Sequence, residues 1–297
     1  MSDRVLRTKP GTRSGASGAS GGSPSTQFPR VEALRPKAQG IPPEDIAGSV
    51  MKAVQFYTPY GYRAKIGVIV PGVNVNLEPE FYRMAPKGVS IHTSRLLLLG
   101  KATQESYLKM EQDTARAAQE LATGEVDVIA WACTSGGVVL RPPKIEKTIR
   151  EIARCPVTST ITAAVAALKA LGAKRVALGT PYVSFINESE IEYLEKAGFK
   201  VVSMYGLELG ENQQERRGIG RVPPQSLHRF ARHIDRPEAD AIFISCTNVA
   251  GVEELEQIEA ERGKPVITST QLTFWHCLRT VGITDKIPGF GRLLSEH

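Results

Sequence analysis

Short apolar runs alternate along the chain with longer amphipathic stretches. Residues 66–70 (IGVIV) form a compact apolar run ending at Pro71, which has no amide proton to offer a sheet ladder. Residues 89–99 supply a second strand region. Residues 103–122 carry Tyr107, Met110, Ala117, Ala118 and Leu121 along one helical pattern. A buried strand is predicted over 126–132, a helix over 143–154, a short strand over 156–160 and an Ala-rich helix through Leu171. The alternation then resumes, with strands over 175–180, 200–205, 241–245 and 265–268. Helices are predicted between and after them over 188–197, 226–234, 252–262 and 272–281. This pattern predicts an α/β protein with mainly parallel sheets.

The second half echoes the first. Residues 64–71 (AKIGVIVP) match 173–181 (AKRVALGTP), 126–135 (VDVIAWACTS) match 239–248 (ADAIFISCTN), and 156–159 (PVTS) match 265–269 (PVITS). Pro71 and Pro181 lie 110 residues apart, Cys133 and Cys246 113, and Pro156 and Pro265 109. Three matches in one order at nearly one offset predict two copies of one α/β unit, facing each other across a pseudo-two-fold axis. The expected organisation is an N-terminal extension over 1–60, a first α/β domain over 61–162 plus 271–297, and a second over 163–270. In open α/β sheets the ligand crevice borders the carboxyl ends of the strands.

Composition changes this picture mainly at the N-terminus. Of 297 residues, 41% are apolar and 23% charged, an ordinary globular balance. The net charge is +6, but residues 1–60 hold eight Lys/Arg against four Asp/Glu. The remaining body is nearly neutral and gives no reason to expect a nucleic-acid partner. Residues 14–25 contain only Ser, Gly, Ala and Pro, so this segment is expected to be disordered. A short helix is expected after Pro43, over 46–54, and Met51 offers an alternative start just ahead of the body. No apolar run approaches a membrane span and no secretory signal is evident. Four cysteines (133, 155, 246 and 277) are too few for a disulfide scaffold and match no metal-ligand spacing. The expectation is a cytoplasmic, metal-free protein with reduced thiols.

Two of those cysteines share a context. Cys133 and Cys246 each follow an apolar strand and precede a small polar turn, which is read as opening a helix. A thiol at a helix N-terminus is expected to ionise more easily. Thr134, Ser135, Thr247 and Asn248 beside them suit a carboxylate. Two facing thiols can exchange protons on opposite faces of a carbon, or one can add while the other protonates. Cys155 abuts a strand and Cys277 lies within a helix, so both read as structural.

These turns resemble the paired cysteine motifs of the aspartate/glutamate racemase superfamily, and most nearly its maleate cis-trans isomerase and arylmalonate decarboxylase branch. Residues 71–74 (PGVN), followed by Glu78 and Glu80, are similar to that branch's Pro-Ser-Ser-Asn segment. Residues 175–182 with Asn187 and Glu188 resemble its second-domain entrance, and Asn212 with residues 218–222 (GIGRV) a later substrate loop. The resemblance spans about residues 62–290. It implies two Rossmann-like domains, an active site between them and no cofactor. It further implies Cys133 as nucleophile and Cys246 as acid/base, with Asn74, Tyr182 and Asn212 orienting the carboxylates of a small dicarboxylate. A homodimer is expected by analogy only. Gly72 and Val73 replace the small hydroxyl residues before Asn74, making that wall more apolar. Residues 249–251 also depart from the isomerase pattern.

Alternatives to a maleate isomerase-like enzyme are an Asp/Glu- or hydantoin-type racemase, an arylmalonate-type decarboxylase and a non-catalytic carboxylate-binding protein. Decarboxylases of the branch lack the first cysteine, which is present here. Gly218-Ile219-Gly220 is a weak dinucleotide pattern without a preceding strand. The five histidines show no ligand spacing. Arg95 reads equally as a carboxylate contact or a structural ion pair, and Arg216 and Arg217 as a lid or a solvated pair.

Overall fold

The structure, a computed structural model, describes residues 59–297. The expected disordered segment and the helix over 46–54 lie outside the described residues. The first half runs β1 (Ala64–Pro71), α1 (Leu77–Met84), β2 (Val89–Leu96), α2 (Gln104–Gln112), α3 (Thr114–Thr123), β3 (Val128–Trp131), α4 (Thr134–Leu140), α5 (Pro142–Ala153), β4 (Val157–Ser159) and α6 (Thr160–Ala170). The second runs β5 (Arg175–Thr180), α7 (Ser184–Lys196), β6 (Lys200–Gly206), α8 (Gln213–Ile219), α9 (Ser226–Ile234) and β7 (Ala241–Ile244). A 3-10 turn (Val252–Glu254), α10 (Leu255–Arg262), β8 (Val266–Thr268), α11 (Ser269–Thr280) and α12 (Arg292–Glu296) complete it.

Two four-stranded sheets result, ordered β2-β1-β3-β4 and β6-β5-β7-β8, and every pairing is parallel. Parallel sheets are covered on both faces, which explains the continuously buried strands β3 and β7. The duplication extends to single hydrogen bonds. The Asp127 carboxylate accepts the Lys65 amide at 2.8 Å, and Asp240 accepts those of Lys174 and Arg175 at 3.0 and 2.8 Å. Past the strand ends, the Ala132 amide donates to Ile69 and that of Ser245 to Gly179, each at 2.7 Å. Ser159 caps α6 and Thr268 caps α11 through the same side-chain contact with the amide three residues on.

The helix predicted over 103–122 is two helices, broken at Asp113. The predicted strand over 89–99 ends at Leu96, beyond which Leu97 and Leu99 are exposed. Helices α1, α4 and α8 were not legible in the apolar pattern. The sequence of α4, TSGGVVL, has poor intrinsic helix propensity and forms because its first turn is buried. Helix α11 runs beside α6, with the Thr273 hydroxyl donating to that of Thr160 at 3.0 Å. Phe274 of α11 meets Phe81 of α1 edge-on at 5.0 Å, and both rings are fully buried. Among the described residues no helix is long and apolar enough to cross a membrane.

Removing either ring opens a void that packed helices fill only partly. Phe274→Ala is expected to lower unfolding free energy by about 3–5 kcal/mol in urea titration. A loss below ~1 kcal/mol would show that α11 is not anchored through this pair.

Candidate active site

Each cysteine stands two residues beyond the end of its strand, Cys133 after β3 and Cys246 after β7. Cys133 is the N-cap of α4, in extended conformation, and its sulfur accepts the Gly136 amide at 3.3 Å. A Cβ at Gly136 would lie 2.6 Å from the Trp131 ring and 3.1 Å from the Cys133 sulfur. Only glycine lets this turn rest on Trp131. The second turn departs from the expectation. No helix opens at Cys246; the chain passes through an irregular segment and the 3-10 turn before α10 begins at Leu255. Cys246 itself has φ +126°, a strained region for a residue with a Cβ. Its amide donates to the Ser269 hydroxyl at 2.9 Å and its sulfur accepts the Asn248 amide at 3.3 Å.

A polar seam joins the two turns. The Ser269 hydroxyl also meets the Thr134 hydroxyl at 2.9 Å. The Asn74 amide group donates to the Thr247 hydroxyl at 3.0 Å, which donates onward to the Ala132 carbonyl at 3.2 Å. Asn74 uses its oxygen to accept the Asn76 and Leu77 amides at the start of α1. The Asn248 oxygen accepts the Val75 amide at 2.9 Å, and Asn76 donates to the Gly220 and Asn248 carbonyls. Buried Glu80 accepts the amides of Gly251 and Val252 at 2.5 and 3.0 Å, pinning the segment after the second cysteine.

The seam borders a cavity of about 50 Å³ into which Cys133 and Cys246 both face, room for a few water-sized groups. Asn74, Thr134, Ser135, Tyr182, Thr247 and Asn248 line it. Asn212 does not. It is exposed, its side chain caps α8 by accepting the Glu215 amide at 2.9 Å, and its amide group donates to Glu215. Asn212 is thus not brought to the cavity with the other expected residues, because the local helix start engages its polar atoms. Val73, Leu98, Ile186, Leu209 and Ile219 give the cavity an apolar wall. Residues 100–102 and 210–213 close over it. The Ala102 amide donates to the Gly210 carbonyl, the Gly100 amide to Gln213, and Lys101 pairs with Glu211.

Two lining residues with polar side chains have no counterpart in the sequence-predicted set. Tyr107 reads as one position in a helical stripe, and Arg216 as lid or solvent-facing. In the structure Arg216 is 4% exposed, lies over the Tyr107 ring at 5.3 Å and faces the cavity. Arg217 is exposed. Arg95 is a structural ion pair with Glu78 that also holds the Asn74 carbonyl at 2.7 Å. His276 bonds Thr158 and stacks on Trp275, and His228 sits between Glu254 and Glu261. Cys155 and Cys277 are buried away from the cavity. Gly218-Ile219-Gly220 ends α8 and forms no phosphate turn. Among the described residues no cluster of three His, Cys, Asp or Glu side chains is placed to hold a metal ion.

Burial dominates at both sulfurs, and at Cys133 it outweighs the helix N-terminus. It pushes the Cys133 thiol up, opposed by Ser135, the Gly136 amide and the Arg216 charge. Burial pushes the Cys246 thiol up to about 12, opposed by the Tyr182 hydroxyl and the Asn248 amide and reinforced by the negative charges of Cys133 and Glu190. The positive charge thus bears on Cys133 and the negative ones on Cys246. Glu190 is fully buried beside Ser245, with no hydrogen bond of normal length to either oxygen, and burial pushes its pKa up to about 7.

A duplicated α/β scaffold that brings two shielded thiols to one small polar and apolar cavity defines a class: enzymes working by thiol addition or thiol-borne proton transfer on a compact anion. The chain belongs to the arylmalonate decarboxylase family, whose model matches residues 66–294. It is 30% identical over 245 residues to a maleate isomerase of Nocardia farcinica, covering 78% of this chain and 96% of that one. A maleate isomerase of Geobacillus stearothermophilus is 28% identical over 248 residues, covering 78% and 97%. In three dimensions the chain is similar to a cysteine-to-serine mutant of Nocardia farcinica maleate cis-trans isomerase with a covalently bound succinylcysteine intermediate. That match has a TM-score of 0.73 and 28% identity, covering 79% of this chain and 99% of that one.

The φ of Cys246 suits glycine better than alanine. Cys246→Gly is expected to be more stable than Cys246→Ala by about 1–2 kcal/mol in urea unfolding, and equal stabilities would show the turn to be unstrained. Glu190 binds its proton more tightly folded than unfolded. Its contribution is fully present below about pH 4.5 and is lost as pH rises towards 7, to a total of about 3 kcal/mol. The stability of Glu190→Gln relative to the parent should therefore rise between pH 4.5 and 7; a difference independent of pH would contradict the buried carboxyl.

Proposed function

We propose that this protein is a cofactor-independent cis-trans isomerase of a small unsaturated dicarboxylate of the maleate type. The observation that carries the reading is the electrostatic asymmetry of two thiols in one cavity. Arg216 supports negative charge on Cys133, while Cys246 lies beside the Tyr182 hydroxyl and under the influence of Glu190. Cys133 then reacts as the thiolate and Cys246 as the neutral thiol.

In this mechanism the Cys133 sulfur adds to one alkene carbon, and the electron pair of the double bond moves onto the other. Cys246 delivers its proton to that second carbon, giving a succinyl thioether and leaving Cys246 as thiolate. The former double bond is now single and rotates. Cys246 takes a proton back, the double bond reforms in the trans arrangement, and the carbon–sulfur bond breaks to return the Cys133 thiolate. Protons and electrons balance with no oxidant, reductant or metal. Asn74, Thr134, Ser135, Tyr182, Thr247 and Asn248 are assigned to shaping and orienting the substrate. Residues 61–162 with 271–297 act as one domain and 163–270 as the other, an arrangement supported by the packing of α11 on α1 and α6. The succinylcysteine seen in the Nocardia relative fits the same intermediate.

Maleate incubated with the full chain is expected to yield fumarate by proton NMR. Cys133→Ala should abolish any substrate adduct in the intact mass, and each single cysteine variant should lose roughly 100- to 10,000-fold in rate. An unchanged rate in Cys133→Ala would overturn the nucleophile assignment. Deuterium exchange into the α-carbon of an amino dicarboxylate, without turnover of maleate, would point to racemisation.

A further inference from the structure

Among the described residues Arg216 is the one charged side chain lining the cavity, and none of them forms an ion pair with it. Its Nη2 donates to the Lys101 carbonyl at 2.8 Å and to the Ser106 hydroxyl at 3.0 Å. Its Nε and Nη1 are buried and have no hydrogen-bond partner among the described residues. The acidic residues nearest in sequence are engaged elsewhere. Glu215 holds the Gly210 and Glu211 amides and Asn212, and Glu211 pairs with Lys101. Among the described residues no carboxylate forms an ion pair with Arg216.

A buried cation with unsatisfied donors is strongly unfavourable unless an anion completes it. This one is held in place from three sides: by the Lys101 carbonyl, by Ser106 and by the Tyr107 ring. Helix α8 positions it, because Asn212 caps that helix and Arg216 follows one turn later, pointing into the cavity that holds both thiols. The guanidinium is suited to carboxylate recognition. Leu98, Ala102 and Leu209 make part of the wall apolar, and Arg216 is the only charged side chain in the lining.

We infer that Arg216 receives one carboxylate of the substrate and makes the site selective for dianions over half-amides and half-esters. The inference takes its substrate class from the isomerase reading, and its test is separable from that reading. Loss of the guanidinium removes charged hydrogen bonds to the ligand, which corresponds to about 10- to 100-fold in affinity or in kcat/KM. A merely structural arginine would leave the ratio between the two ligand charges unchanged.

The experiment compares parent, Arg216→Gln, Arg216→Lys and Arg216→Ala by calorimetry with succinate and with its half-amide, neither of which needs to react. The parent should bind succinate at least tenfold better than the half-amide, and Arg216→Gln should bind both alike. Arg216→Lys should retain part of the preference. Added guanidinium ion should restore succinate binding to Arg216→Ala and leave half-amide binding unchanged. The ligand-free glutamine variant should melt no lower than the parent, since an unpaired buried charge has gone. A parent that does not discriminate, or a glutamine variant that still does, overturns the inference. Discrimination by charge without any turnover of maleate would instead sink the isomerase reading and leave the role of Arg216 standing.

Discussion

The seam of hydrogen bonds between the two cysteine turns is the constraint on which the rest of the structure depends. The Ser269 hydroxyl takes the amide of Cys246 and meets the hydroxyl of Thr134, so one side chain reports the position of each turn to the other. Asn74 and Thr247 repeat the connection on the next layer, and Thr247 reaches the carbonyl beside Cys133. These groups are buried, so breaking any one leaves a desolvated polar atom without a partner. The seam therefore favours a single relative placement of the two strand ends. That placement brings two sulfurs to one small volume.

Shielding has an electrostatic consequence that a helix terminus alone does not predict. Both thiols are harder to ionise than free cysteine because the surrounding medium stabilises charge poorly. Within that common handicap, the two copies differ. Cys133 keeps the helix and gains the nearby guanidinium, while the second copy has lost its helix start and adopted a strained backbone. Duplication supplied two equivalent positions, and local divergence gave them unequal chemistry. Beside the differing hydrogen-bond partners, Arg216 lowers the Cys133 thiol and Glu190 raises that of Cys246, and both charges are buried and incompletely partnered.

The carboxylate arrangement illustrates how local structure overrides a motif. Asn212 belongs to a segment resembling a substrate loop, yet here its side chain closes the first turn of α8. The polar group that reaches the cavity is Arg216, one turn on. A motif fixes residue identity at a position, whereas which way the side chain points depends on where the helix begins.

Much of the architecture is a local property of the chain. The alternating strands and helices, the internal repeat and the pairing of Cys133 with Cys246 follow from apolar periodicity and from small polar turns at equivalent offsets. Such signals need only neighbours in sequence. The break at Asp113, the Gly-rich helix α4 and the end of β2 at Leu96 were set by packing, which no window of residues contains. The same holds for the site. The internal repeat determined that two thiols would stand at two equivalent strand ends, and the family resemblance implied Asn74 and Tyr182 beside them. Only the tertiary structure decided that Asn212 turns away, that Arg216 is buried with no counter-ion among the described residues and that burial prevails over the helix N-terminus at Cys133. Asn212 turns away through a local cap with Glu215, whereas the other two depend on desolvation and on hydrogen bonds between residues more than a hundred positions apart, such as Thr134 with Ser269 and Arg216 with Lys101.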